Sequence, residues 1–121
     1  MFGTRLEGLQ PMQKSSLTAL GREQLELARS SSSGRSASTV YGGHEHVLRQ
    51  TLIALIGGRR LDEHANPGEA TVHVLSGRVS LKAVGNAWNG SPGDLLIVPD
   101  SIHSLEALED SVVLLTVAKT P

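Results

Sequence analysis

The 121-residue chain contains no cysteine. Disulfide frameworks and thiolate metal sites are therefore excluded, and a bound metal would need histidine, carboxylate or amide ligands. The five histidines are the first candidates for such a role.

The sequence is also poor in aromatic residues and has no excess of either charge. It contains one Phe, one Tyr and one Trp, and its eleven Lys and Arg against twelve Asp and Glu give a net charge of −1. A base-stacking surface and a basic field that would neutralise a phosphate backbone are both missing. We therefore expect no nucleic-acid partner and a core packed from branched aliphatic side chains.

Long hydrophobic runs are absent as well, since no apolar stretch approaches the roughly 20 residues that a membrane-spanning helix needs. The first residues, MFGTRLEGLQPMQKSS, lack the continuous apolar region of a secretory signal. These absences predict a cytoplasmic protein without a membrane partner. The length is that of a single domain.

The composition of the chain changes near residue 40. The segment SLTALGREQLELAR (16–29) predicts one short helix capped by Ser16. The serine-rich tract RSSSSGRSAST (29–39) has too few apolar groups to offset the entropy of ordering it, and it predicts a mobile tether. We predict an N-terminal extension over residues 1–39, with no structure assigned to residues 1–11, and a second unit over residues 40–121.

Residues 40–121 are made of short runs rich in Val, Leu and Ile, separated by glycine-bearing turns. The runs are HVLRQTLIALI (46–56), ATVHVLS (70–76), RVSLKAV (78–84), DLLIVP (94–99) and SVVLLTVAK (111–119). Short apolar runs at such spacing are typical of an all-β sandwich or barrel. The sequence therefore predicts an all-β domain.

Two segments of this domain resemble the two sequence motifs of the cupins. Their matching positions are, in chain order, Gly58, His64, Asn66, Ala70 and Gly77 in the first motif and Gly93, Pro99, His103 and Ala107 in the second. The resemblance covers roughly residues 44–119. It implies a jelly-roll β-barrel in which Gly77 is a structural glycine at a turn between strands.

The usual metal site of that family is degenerate in this chain. Family members hold a divalent metal with two histidines and a glutamate from the first motif and one histidine from the second. The frame keeps His64 and His103 but has Asn66 and Ala70 at the other two positions. Two imidazoles fall short of the three or four ligands typical of Zn, Fe, Mn or Ni sites, unless Asn66, or Glu69 through a bulge, adds an oxygen.

The three other histidines give weaker signals. Strand alternation puts His73 on the face opposite Ala70, away from the lumen. His44 and His46 share one face if they lie on a strand, but they fall outside the motif frame and have no third ligand nearby in the sequence. We interpret them as a polar pair.

Three functions of different classes remain open. The first is a small-molecule binding module whose ligand contacts Gln50, His64, Asn66 and His103. The second is an enzyme, either a metal-dependent dioxygenase or isomerase as the resemblance implies, or a metal-free acid–base catalyst. The third is a structural or interaction module.

The binding module is the function that we favour. We also expect a homodimer, because the first and last strand runs are apolar on both alternating faces and one face needs a cover.

Overall fold

The structure is a computed structural model that describes residues 13–64 and 68–119, with only the backbone for residues 63 and 64. These residues form one helix and nine strands. The elements are α1 (Leu17–Ser30), β1 (Arg35–Gly42), β2 (Leu48–Leu55), β3 (Arg60–His64), β4 (Gly68–Ser76), β5 (Val79–Ala83), β6 (Asn86–Gly90), β7 (Leu95–Ile97), β8 (His103–Ala107) and β9 (Ser111–Lys119).

The strands build two antiparallel sheets that face each other. The larger sheet has the order β1-β2-β9-β4-β7 and the smaller one the order β3-β8-β5-β6. The predicted all-β jelly roll is confirmed. The sheets stay separate and are not joined by hydrogen bonds into a closed barrel over the described residues, so the expected barrel is a two-sheet sandwich.

The central strands have continuous hydrophobic sequences because they face two apolar cores, one on each side of the sheet. Ile53 and Leu55 of β2 belong to a core between the sheets, whereas Leu52 and Ala54 belong to a second core beneath α1. The face of each sheet that packs against the other sheet is called its inner face. The opposite face of each sheet is called its outer face. Strand β2 is therefore covered on both sides, as the sequence predicted.

The helix is held on the outer face of the larger sheet by its sequence. Ser16 caps it as predicted, because the Ala19 N–H donates to the Ser16 hydroxyl at 3.2 Å. Gly21 is buried against β9, and a β-carbon at this position would lie 3.2 Å from Cγ1 of Val112. A glycine that weakens the helix in isolation thus allows its close approach to the sheet. No helix in the described part of the chain is long and apolar enough to cross a membrane.

The serine-rich tract differs from the predicted tether. Its second half belongs to β1, which pairs with β2 from Arg35 opposite Leu55 to Gly42 opposite Arg49. The Ser36 hydroxyl also donates to Oε1 of the buried Gln24 at 2.5 Å. Strand pairing and the contact with the helix supply the stabilisation that the composition of the tract lacks, so the boundary expected between residues 39 and 40 falls inside β1.

Two contacts tie the ends of the elements together. Gly77 has a φ of +81°, and a β-carbon there would overlap the Asp110 carbonyl, which confirms its structural role between β4 and β5. The Asp110 carboxylate accepts from the Gly57 N–H at 2.9 Å and pairs with Arg29 at 3.2 Å. The Gly57 hydrogen bond, aided by Arg29, lowers the pKa of Asp110.

Candidate functional site

The described residues enclose a small cavity of about 50 Å³ between the two sheets. Its lining residues are Ile53, Leu61, Val72, Leu81, Val98, His103, Leu105, Val113 and Leu115. One buried water occupies roughly 10–15 Å³ of such a cavity volume, so this cavity has room for about four groups of the size of a water molecule. Among these described lining residues His103 is the one polar side chain, and the others are aliphatic.

His103 is buried and held in a defined orientation. It begins β8, its relative exposure is 4%, and its Nδ1 lies 2.8 Å from the carbonyl oxygen of Ser101. Because a carbonyl oxygen only accepts, Nδ1 carries the proton, and in the neutral ring the lone pair lies on Nε2. An imidazole fixed in this way resembles a metal ligand or a ligand-contacting histidine, whose second nitrogen is oriented by a backbone carbonyl.

The register of β3 brings His64 directly opposite His103. Leu61 pairs with Leu105 and His64 with His103, so three steps along β3 match two steps along β8. The extra residue is a β-bulge, a feature that often accompanies functional sites. Residues directly opposite each other in an antiparallel pair belong to the same face of the sheet. The two positions predicted as site residues are therefore cross-strand neighbours.

The two other positions of the metal-binding frame add no donor to the described site. Ala70 is only 5% exposed and belongs to the core between the sheets, so the position of the family's glutamate is on the inner face but carries a methyl group. Asn66 lies outside the described residues.

The proposed rescue by Glu69 is not supported. Residues 68–70 of β4 pair with residues 119–117 of β9 in unbroken register, so no bulge turns Glu69 inward, and it is exposed. No group of three His, Asp or Glu side chains that could hold a metal occurs within the described side chains. The donor set therefore does not fit the family's four-ligand site.

Gln50, predicted to contact the ligand in the lumen, lies on the outer face instead. Its Nε2 donates to the Thr116 hydroxyl at 3.2 Å, and it is an even-numbered residue of β2, like Leu52 and Ala54 of the core beneath α1. The odd-numbered Ile53 and Leu55 face the opposite sheet. The predicted placement of Gln50 in the lumen was wrong. The sequence did not show whether the odd- or the even-numbered residues of β2 face inward.

The remaining histidines lie away from the cavity. His73 is half-buried and alternates with the inner-face residues Val72 and Val74, so its predicted outward placement is confirmed. His44 and His46 are exposed in the turn between β1 and β2 rather than on a strand, and the His46 ring packs edge-on against Tyr41 with ring centroids 5.5 Å apart. The expected shared strand face does not exist.

One inner-face residue was missed by the sequence reasoning. Arg49 of β2 has the same parity as Ile53 and lies opposite Val117, a member of the core between the sheets. The alternation in HVLRQTLIALI contains this signal once Ile53 is known to face inward.

Comparisons with known proteins give the fold a wider context. No protein-family model matches the chain, and no curated protein matches it. A conserved protein of unknown function from Streptococcus pyogenes is similar in structure, with 26% identity, a TM-score of 0.66, and coverage of 75% of this chain and 79% of that one.

Two further solved structures are similar to this chain and carry the cupin name. A cupin superfamily protein from Desulfitobacterium hafniense has 16% identity, a TM-score of 0.63, and coverage of 70% of this chain and 79% of that chain. An RmlC-like cupin from Desulfovibrio desulfuricans has 23% identity, a TM-score of 0.61, and coverage of 69% and 81%. At these identities the likeness establishes the fold, and function has to be argued from the site.

Proposed function

Because this chain is a small domain with the cupin jelly-roll fold, we propose that it binds a small organic molecule between its two sheets, beside His103. The observation that carries this proposal is the aliphatic cavity with one buried, oriented imidazole. Sites for small molecules are typically concave and mostly apolar, with a few polar groups that fix the orientation of the ligand. His64, His103 and Asn66 are the polar contacts that we propose.

The size of the cavity restricts the ligand. A volume of about 50 Å³ is well below the roughly 300–1,000 Å³ of a site for a drug-sized molecule. We therefore propose that a short aliphatic portion of the ligand enters the cavity, while its polar portion stays at the end of the sandwich where His103 lies.

An enzymatic function is the second candidate, and the direct pairing of His64 with His103 favours it. A metal-dependent reaction would need ligands beyond these two imidazoles. Without a metal, one imidazole would serve as a general base or acid at neutral pH. The alanine at position 70 argues for the binding function instead, since it removes one donor.

The test is native mass spectrometry of untagged protein, combined with elemental analysis of the same sample. We expect a bound organic species of low mass that is released on denaturation, together with metal far below one equivalent. His103→Gln should lose the species, and the matched control His73→Gln, altered on the outer face, should keep it. One equivalent of metal that disappears in His103→Gln would overturn the binding function in favour of the enzyme.

A further inference from the structure

The end of the sandwich that contains His103 also carries positive charge. Arg49 and Lys119 both lie at inner-face positions of neighbouring strands, because Arg49 pairs with Val117 and Lys119 follows two residues later. Val117 in turn pairs with Ala70, which occupies the position of the family's glutamate. Val117 is the next inner-face residue of β9 after Leu115, which lines the cavity. Arg49, opposite Val117, therefore lies next to the cavity along the inner face.

Arg49 differs from the other cations of the described chain in its surroundings. Among the Lys and Arg residues that the structure describes, Arg49 and Lys119 are half-buried and the others are exposed. Lys119 donates to the carbonyl oxygens of Gly43 and His44 at 3.0 and 3.5 Å. The Arg49 side chain makes no hydrogen bond or ion pair with any of the described residues. Because no described residue accepts from the Arg49 guanidinium, its N–H donors are left to water or to a ligand.

The carboxylates that the structure describes near this end do not pair with Arg49. Glu69 alternates with Ala70 and is exposed, so it faces away from the inner side. Glu45, in the turn that precedes β2, and Asp100, in the segment before β8, are exposed as well. Asp62 lies 4.0 Å from Arg60. No carboxylate in the described part of the chain is paired with Arg49.

We infer that the ligand carries a carboxylate, which Arg49 binds, while its short aliphatic portion lies in the cavity beside His103. The inference rests on the proposed small-molecule function and specifies its ligand class. A guanidinium offers two parallel N–H donors that match the two oxygens of a carboxylate. Successive inner-face residues of a strand are about 6.6 Å apart, which is within the span between a carboxylate and the end of a short acyl chain.

The experiment measures binding of pentanoate and of pentanamide, its neutral counterpart of the same shape, by NMR chemical-shift titration of the untagged, full-length protein. Pentanoate is expected to perturb the amide signals of His103 and Leu115 and to bind at least tenfold more tightly than pentanamide. Inorganic phosphate serves as the control for general anion binding and should leave these signals unchanged.

Three variants test the assignment to Arg49. Arg49→Gln should reduce the preference for pentanoate over pentanamide to less than about twofold. Arg49→Lys keeps the positive charge but loses the two parallel N–H donors of the guanidinium, so it should give an intermediate preference. Arg78→Gln, altered at an exposed arginine next to β5, should retain the full preference. The dispersion of the amide spectrum shows whether each variant is folded.

The outcomes separate this inference from the proposed function. If pentanamide binds beside His103 as tightly as pentanoate, or if Arg49→Gln retains the preference, the carboxylate assignment is wrong while the small-molecule site stands. If inorganic phosphate perturbs the same signals as strongly as pentanoate, the site binds anions in general and the assignment is also wrong. If neither pentanoate nor pentanamide perturbs the residues of the cavity, the result counts against both.

Discussion

At the scale of single residues, this chain departs from the metal-binding pattern of the cupins at positions 66 and 70, of which position 70 lies within the described residues. Ala70 is buried on the inner face, and its neighbour Thr71 occupies the opposite face of the same strand. A donor introduced at position 70 would therefore join His64 and His103, whereas the same donor at position 71 would not.

We predict that Ala70→Glu converts the site into a zinc-binding one. Without metal the variant should be less stable, because an unpaired carboxylate is buried among aliphatic side chains. Adding Zn²⁺ should raise its Tm by several degrees, because binding to the folded state alone stabilises it.

The measurement is thermal unfolding with and without Zn²⁺. Thr71→Glu is the control, and neither it nor the unaltered protein should respond to Zn²⁺ by more than about a degree. An equal response of Ala70→Glu and Thr71→Glu would show that position 70 does not share a site with the two histidines.

Residue-level prediction from the sequence worked where the motif frame fixed a position and failed where parity had to be guessed. The glycines and the proline of the frame placed positions 64 and 103 together, and the strand register shows that they are cross-strand neighbours. Gln50 was assigned to the wrong face and Arg49 was overlooked for one reason. The apolar run of β2 is covered on both sides, so hydrophobicity alone does not say which face is inner.

At the scale of elements, the helix was predictable because its signals are local. The Ser16 cap and the leucine spacing lie within one segment. Strand β1 was not predictable in the same way, since its stability comes from pairing with β2 and from the helix above it. The composition of a segment indicates how much apolar surface it can bury. It does not indicate whether a partner strand will supply hydrogen bonds.

The position of Gly21 gives a prediction about how the helix packs. Gly21→Leu should lower the free energy of unfolding by about 1–2 kcal/mol, because the larger side chain collides with Val112 and pushes α1 off the sheet. The clash outweighs the gain of about 1 kcal/mol in helix propensity that follows from removing a glycine.

Urea unfolding measures this effect. Glu23→Leu, a substitution at an exposed position of the same helix, is the control and should change stability by less than about 0.5 kcal/mol. A Gly21→Leu variant that is more stable than the original protein would mean that the helix does not pack closely on β9.

At the scale of the whole molecule, the helix covers only part of the outer face of the larger sheet. It packs on β1, β2 and β9, while Leu95 and Ile97 of β7 remain 58% and 69% exposed. Both residues pair with outward-facing residues of β4, His73 and Thr71. The homodimer expected from the sequence remains a prediction, and this uncovered area is where we expect its interface.

Light scattering at micromolar concentration tests the dimer. We expect twice the mass of one chain, and the mass of a single chain for Ile97→Lys, because a charge at the interface would be buried without a partner. Lys82→Glu, altered on the smaller sheet at an exposed residue, should leave the dimer intact. A clean monomer for the unaltered protein would contradict the prediction.

The proposed function and the proposed ligand class both depend on what occupies the space beside His103. A crystal structure of untagged protein, with anomalous data collected at the absorption edges of Zn, Fe, Mn and Ni, examines that space directly. We predict continuous organic density between His103 and Arg49 and no anomalous peak within coordination distance of His64 and His103. A fully occupied metal bound by those two imidazoles would contradict the proposal that this cupin fold serves as a binding module.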